Sequence, residues 1–219
     1  MHPRQFYFFA AVGFLLTIGV SQAQNPQRFA NEVDSIVSHN LSVDRKDLII
    51  FTGSSSVRMW NDLKTSFPDH NVVNLGFGGS EMADLLYYVD KIILQFKPKQ
   101  VFIYEGDNDI SAGRKTENIL AAADSILARI RREVPQAEVV FISPKPSVSR
   151  WHLKGKYEAF NKTFEKWAKS KKNVKFADVW TPMLKKDGQV REDIFLADNL
   201  HMNEKGYAIW RAQLKKYLK

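Results

Sequence analysis

The chain has no cysteine. That excludes a disulfide framework, and it excludes a lipoprotein anchored through an acylated cysteine. No internal repeat recurs at a fixed period and no segment is low in complexity, which excludes solenoids and propellers. No apolar run reaches the roughly 20 residues that a comfortable membrane span requires. The longest, Phe6 to Val20, is flanked by His2 and Arg4 on one side and by "SQAQ" on the other. A positive start, a short apolar stretch and a small-x-small site at Ser21 and Ala23 predict a signal peptide over residues 1–23, cleaved after Ala23. The mature chain, 24–219, is then a single domain with no stable membrane anchor, secreted or periplasmic.

Acidic residues are the minority, 24 Asp+Glu against 32 Lys+Arg, for a formal charge of +8. The excess gathers at Lys169 to Lys175, at Lys185-Lys186 and in the final "LKKYLK". These runs lack interleaved aromatics and any nucleic-acid module, so a solvated surface is expected and no nucleic-acid partner. Oligomeric state leaves no trace in the sequence.

What is present is a regular alternation. Four short β-branched runs end at or just before glycine or proline, Leu48 to Thr52, Asn71 to Leu75, Val101 to Tyr104 and Glu138 to Ile142, and Val174 to Asp178 is a weaker fifth. Between them lie stretches with apolar residues at helical spacing, at 81–96, 118–134, 154–168 and 203–218, the last with Asn203 as N-cap. A shorter amphipathic helix precedes the first strand. Strands apolar throughout, alternating with helices, predict an α/β fold: a three-layer α/β/α sandwich on a five-stranded parallel sheet.

Ligands of such a sheet bind at the carboxyl ends of its strands. The loops there read "GSSS", "GFGGSE", "EGDNDI", "SPKPSVSRWH" and, before the last helix, "LADNLHMN". A serine hydroxyl needs a base, and the base needs an orienting carboxylate. Of the five histidines, His201 stands in a loop leading into the last helix with Asp198 three residues before it. His39, His70 and His152 read as surface or packing residues, and His2 falls in the signal. Gly76, Gly78, Gly79 and Asn108 could supply N–H donors to an oxyanion, or serve as ordinary turn residues. Glu105, Asp107, Asp109 and Asp198 could gather at the sheet edge around Mg²⁺ or Ca²⁺, but such carboxylates more often cap helices and brace loops. No spacing suggests zinc, and no metal or cofactor is expected.

Gly-x-Ser after the first strand, Asn-x-Gly-x-Gly-Gly after the second, Gly-x-Asn-Asp after the third and Asp-x-x-His before the last helix resemble, in that order, the SGNH hydrolases, the GDSL esterase/lipase family. The style of "FTGSSSVRMW" and "NLGFGGSE" is nearest to its members similar to platelet-activating factor acetylhydrolases. The resemblance implies a flavodoxin-like SGNH fold and a serine esterase. It implies Ser55 as nucleophile, His201 as base, Asp198 as its partner, and Ser55, Gly79 and Asn108 as oxyanion donors. Ser54 stands where the family commonly has aspartate, and Ser56 competes with Ser55 if the alignment slips by one. The α/β-hydrolase elbow does not fit, because Val57 takes the place of its second glycine.

No long apolar insertion forms a lid, which favours short acyl groups. Trp60, Phe77, Trp151 and Tyr207 stand either in a pocket or in the core. The expected substrate is a small-molecule or glycan O-acyl ester, acetyl first, on a carbohydrate or cell-envelope component. The alternatives are a lysophospholipase or thioesterase, and a catalytically silent carbohydrate-binding relative.

Overall fold

The structure is a computed structural model that describes residues 25–219, so the expected signal peptide and its cleavage site lie outside the described residues. Five strands, β1 (Ile49–Gly53), β2 (Val72–Gly76), β3 (Gln100–Tyr104), β4 (Glu138–Ile142) and β5 (Val174–Ala177), form one all-parallel sheet in the order β2-β1-β3-β4-β5. The expected α/β sandwich is therefore observed, with strand ends within a residue of those read from sequence.

Successive side chains of each strand enter opposite layers. Ile50, Val101, Ile103, Val139 and Phe141 meet α1 (Ala30–Asn40), α4 (Met82–Ile92), α6 (Thr116–Glu133) and α7 (Lys154–Lys169). Ile49, Phe51, Phe102, Tyr104, Val140 and Ile142 meet the short helices α2 (Ser55–Arg58) and α3 (Leu63–Ser66), the segment 179–195 and α8 (Glu204–Leu214). Central strands buried on both faces explain why β1, β3 and β4 read as unbroken apolar runs. β5 reads weakly because it is an edge strand: Lys175 stands exposed within it, which discourages pairing with another chain.

Two of the expected helices end as 3₁₀ turns, and α2, α3 and one further short helix lie where no helix was expected. The helix expected over 81–96 ends at Ile92 and continues as a 3₁₀ turn to Phe96. Lys97 then takes φ +49° before Pro98, a residue that disfavours helix in the one preceding it. The final helix likewise passes into a 3₁₀ turn at Lys215, while Asn203 caps its start as expected, accepting from Lys205 and Gly206 N–H. A further helix, α5 (Asp107–Ser111), lies where sequence patterning suggested only a loop. Helices of four or five residues are too short to show a 3.6-residue period.

The basic runs are largely paired at the surface: Lys169 with Glu165, Lys171 with Asp124, Lys175 and Lys219 with Glu138, and Lys185 with Glu192. Among the described residues no helix is long and apolar enough to cross a membrane.

Candidate active site

β1 delivers its last residue, Gly53, at φ +125°, where a Cβ would come within 2.0 Å of the Tyr104 carbonyl oxygen. Only glycine fits there. The chain then turns into α2, whose first residue is Ser55, so that the Ser55 N–H has no acceptor within its own helix. Backbone bonds fix this turn: Ser54 N–H donates to the Tyr104 carbonyl, while the Ser54 carbonyl accepts from Val57 and Arg58. Ser54 makes no side-chain cap bond, so the bracing that an aspartate would give here comes from the main chain. Asn74 holds the far side of α2, its amide donating to the Val57 carbonyl at 2.7 Å while its oxygen accepts from Gly76 N–H.

Asp198 and His201 sit on the loop before α8, with Asn199 in the left-handed region at φ +57°. Asp198 Oδ1 accepts from the N–H groups of Leu200 and His201, both at 2.9 Å. Its Oδ2 meets His201 Nδ1 at 2.5 Å, and His201 Nε2 faces Ser55 Oγ at 3.0 Å. With the carboxylate on Nδ1, that nitrogen carries the proton and Nε2 accepts the serine hydroxyl. Burial acts to raise the Asp198 carboxyl, but the ring and two backbone hydrogen bonds outweigh it and hold the group at about 2. The structure thus joins Ser55, His201 and Asp198 in one hydrogen-bonded chain. Ser56 is buried, and its backbone carbonyl accepts from Tyr207 OH at 3.0 Å, whereas the hydroxyl that meets His201 is that of Ser55.

Gly79 follows β2 at φ +59°, with open space where a Cβ would stand, so backbone conformation and not crowding favours glycine. Its neighbour Gly78 is held from outside the motif, by Glu32 of α1, whose carboxylate accepts Gly78 N–H at 3.0 Å and pairs with Arg58. Asn108 lies in α5, its Nδ2 donating to the Ser80 carbonyl at 2.9 Å. Phe77 N–H donates to the Gly53 carbonyl. The second and third loops are therefore tied to each other and the second to the first.

A buried charge cluster supports the third loop. Asp107 accepts from Tyr104 OH at 2.7 Å, Tyr157 OH at 2.5 Å and Arg150 Nη1 at 2.6 Å, with Lys145 Nζ 3.7 Å away. Burial works to raise the Asp107 carboxyl, but Lys145 and Arg150 hold it below the usual range. Lys145 also donates to the Leu200 carbonyl at 2.7 Å, and Ser149 N–H donates to that of Asn199, so the loop after β4 grips the base loop. Sequence reasoning placed this loop at the sheet edge but gave Lys145, Arg150 and Tyr157 no role. Their partners in the cluster are 38 or more residues distant, and no local pattern marks them.

The four carboxylates weighed as oxygen ligands are engaged separately. Asp107 faces cations, Asp198 the imidazole, Asp109 the N–H groups of Met82 and Gly106, and Glu105 the Ser80 hydroxyl at 2.6 Å. Burial pushes Asp109 up to about 7 and raises Glu105 well above its ordinary value. Among the described residues no group of three His, Cys, Asp or Glu is placed to hold a metal ion. Of the four aromatics considered for a pocket, Trp60 and Phe77 are core residues. Trp60 packs edge-on against Phe51 and stacks on Tyr207. Trp151 remains half-buried and stacks with Trp180. A cleft of about 690 Å³ between the α2–α3 segment and α8 is lined by Met59, Leu196, Met202, Tyr207 and Arg211, and Ser55, Asp198 and His201 are not part of its lining.

Serine, imidazole and carboxylate in line, at a strand edge with free backbone N–H groups, can carry out acyl transfer. The chain matches the model of the GDSL-like lipase/acylhydrolase family over residues 34–209. It belongs to that family. Family membership makes it a carboxylic ester hydrolase, and the parallel sheet is the family's fold. No curated protein matches it. Among solved structures, one from Streptococcus pneumonia, provisionally assigned as a platelet activating factor, is 22% identical with a TM-score of 0.78, covering 88% of this chain and 94% of that one. A GDSL-like lipase from Bacteroides thetaiotaomicron is 19% identical, TM-score 0.71, covering 89% and 97%. A catalytic mutant of an acetylxylan esterase from Geobacillus stearothermophilus is 14% identical, TM-score 0.65, covering 78% and 94%. At these identities the likeness is one of fold.

Proposed function

We propose that this family member is an exported serine esterase that removes short acyl groups, acetyl first, from a carbohydrate or cell-envelope ester. The observation that carries the catalytic part is the chain Ser55 Oγ to His201 Nε2, at 3.0 Å, and His201 Nδ1 to Asp198 Oδ2, at 2.5 Å.

In this mechanism His201 Nε2 takes the Ser55 proton as the oxygen attacks the ester carbonyl. The N–H groups of Ser55 and Gly79 and the amide of Asn108 hold the oxyanion. Asp198 keeps the ring in its tautomer and stabilises the imidazolium. His201 then protonates the departing alcohol. Water, activated by the same nitrogen, releases the acid and restores Ser55. Each step moves one proton between neighbours already in place.

The substrate class rests on the openness of the site. The Asp198 side chain is 47% exposed and that of His201 22%. That exposure leaves the base open to an alcohol portion of sugar size beside a small acyl group. The acetylxylan esterase among the structural neighbours acts on a ligand of that kind. Export rests on residues 1–23 alone.

The test is hydrolysis of p-nitrophenyl acetate, butyrate and octanoate by the parent protein, Ser55→Ala and Ser56→Ala. Acetate should be preferred, and only Ser55→Ala should be inactive. Loss in Ser56→Ala alone would overturn the assignment of the nucleophile. A preference for octanoate would point to a lipolytic enzyme, and inactivity on all three esters would leave a strict glycan esterase or the silent binder. The amino-terminal sequence of exported protein should begin at Gln24.

A further inference from the structure

An asparagine amide can serve an oxyanion only if its nitrogen, not its oxygen, faces the reacting centre. The two neighbours of Asn108 decide that orientation. Asn108 Oδ1 accepts from Arg150 Nη2 at 3.0 Å, and Nδ2 donates to the Ser80 carbonyl at 2.9 Å. A guanidinium has no acceptor and a carbonyl no donor, so each neighbour forbids the flipped amide. One Nδ2 hydrogen is taken by Ser80, and the other remains for a ligand.

Arg150 is itself fixed. Its other terminal nitrogen, Nη1, is 2.6 Å from Asp107 Oδ1, and the arginine side chain is 17% exposed against 6% for Asp107. Tyr157 and Tyr104 occupy the remaining directions around that carboxylate. The planar fork therefore spans two consecutive residues, the buried anion Asp107 and the amide Asn108. We infer that Arg150 is a positioning residue for the hydrolysis: bridging Asp107 and Asn108, it sets the direction of the Asn108 amide and polarises its free N–H. The inference rests on Asn108 being an oxyanion donor. Hydrogen bonds in a chain strengthen one another, so a cation on Oδ1 makes Nδ2 a better donor to a developing negative charge. Lysine is no equivalent, since one ammonium cannot reproduce a planar two-nitrogen bridge.

A purely structural arginine would also neutralise Asp107, so the test has to separate the two roles. The variants are Asn108→Ala, Arg150→Met, Arg150→Lys and each Arg150 change combined with Asn108→Ala, assayed on p-nitrophenyl acetate with thermal melting alongside. Asn108→Ala should lower kcat by about 100-fold, as for loss of one oxyanion donor. Arg150→Met and Arg150→Lys should each lower kcat by roughly tenfold or more, with KM within about twofold, because the interaction is made in the transition state. In the Asn108→Ala background the same changes should lower kcat by less than about threefold, since the group they act through is gone. Arg150→Lys keeps a cation beside Asp107, so it preserves the comparison if Arg150→Met fails to fold.

Losses that multiply, equal with and without Asn108, would overturn the positioning role and leave a structural one. A change confined to KM, or Arg150→Lys with full kcat, would overturn it too. If Asn108→Ala alone leaves kcat unchanged, the oxyanion reading of Asn108 fails first and takes the inference with it.

Discussion

Two carboxylates stand near the strand ends, both held below their ordinary range, and they are held in opposite ways. Asp198 is half open to solvent, and its partners are Leu200 and His201, two and three residues along the chain. Asp107 is buried, and two of its partners, Lys145 and Arg150, come from the loop after a neighbouring strand. The first is a local turn that carries chemistry. The second is a long-range charge cluster that carries the frame, reaching Asn108 through Arg150 and the Leu200 carbonyl through Lys145. An exposed carboxylate is screened and adds little to stability, so its value lies in orienting a base. A buried one without its cations would be expensive, so its value lies in fixing the loops that meet on it.

The sharpest way to break this comparison is to neutralise each carboxylate in turn. Asp198→Asn should lower kcat by on the order of 10⁴, the scale seen when a base is left in the wrong tautomer, with little change in melting temperature. A melting loss as large as the activity loss would show that the exposed loop is structural after all. Asp107→Ala should act first on stability, with any loss of kcat passing through Arg150 and Asn108. It leaves Lys145 and Arg150 buried without their anion and should cost about 3–5 kcal/mol of stability, read from denaturant midpoints. Stability within about 1 kcal/mol of the parent would show that water or a rearranged partner replaces the cluster.

A smaller effect concerns a third carboxylate. Asp109, two residues after Asp107 in α5, is bonded to backbone N–H groups, and burial raises it to about 7. The folded state then keeps a proton that the unfolded chain releases near pH 4. Its stability contribution is therefore greatest below pH 4, falls as pH rises toward 7, and is constant above. Asp109→Asn should remove that part of the decline, so its melting temperature relative to the parent should rise between pH 4 and pH 8. An equal offset at every pH would mean that Asp109 is charged throughout.

The strands and long helices could be read in advance because each carries its pattern within its own few residues, a short apolar run for a strand and a 3.6-residue period for a helix. Ser55, Gly79 and Asn108 were legible as parts of short motifs, each following a strand that could itself be recognised. The helices α2, α3 and α5 were not, being too short to express a period. Trp60 and Phe77 illustrate a different limit: an aromatic at a strand edge reads alike whether it lines a cleft or fills a core, and here both are core. Glu32, Lys145, Arg150 and Tyr157 stayed silent because their partners lie 26 to 55 residues away.

The sequence by itself determined the alternation of strand and helix, the glycine at the end of β1 and the Asp198–His201 turn, since each depends on backbone preferences or hydrogen bonds spanning a few residues. Tertiary structure decided that His201 meets Ser55 across 146 positions and that one arginine bridges Asp107 and Asn108. Those contacts exist because the order β2-β1-β3-β4-β5 brings loops distant in the chain to one edge of the sheet. Which side chains touch there depends on how both faces of the sheet pack, and no short window of sequence contains that information.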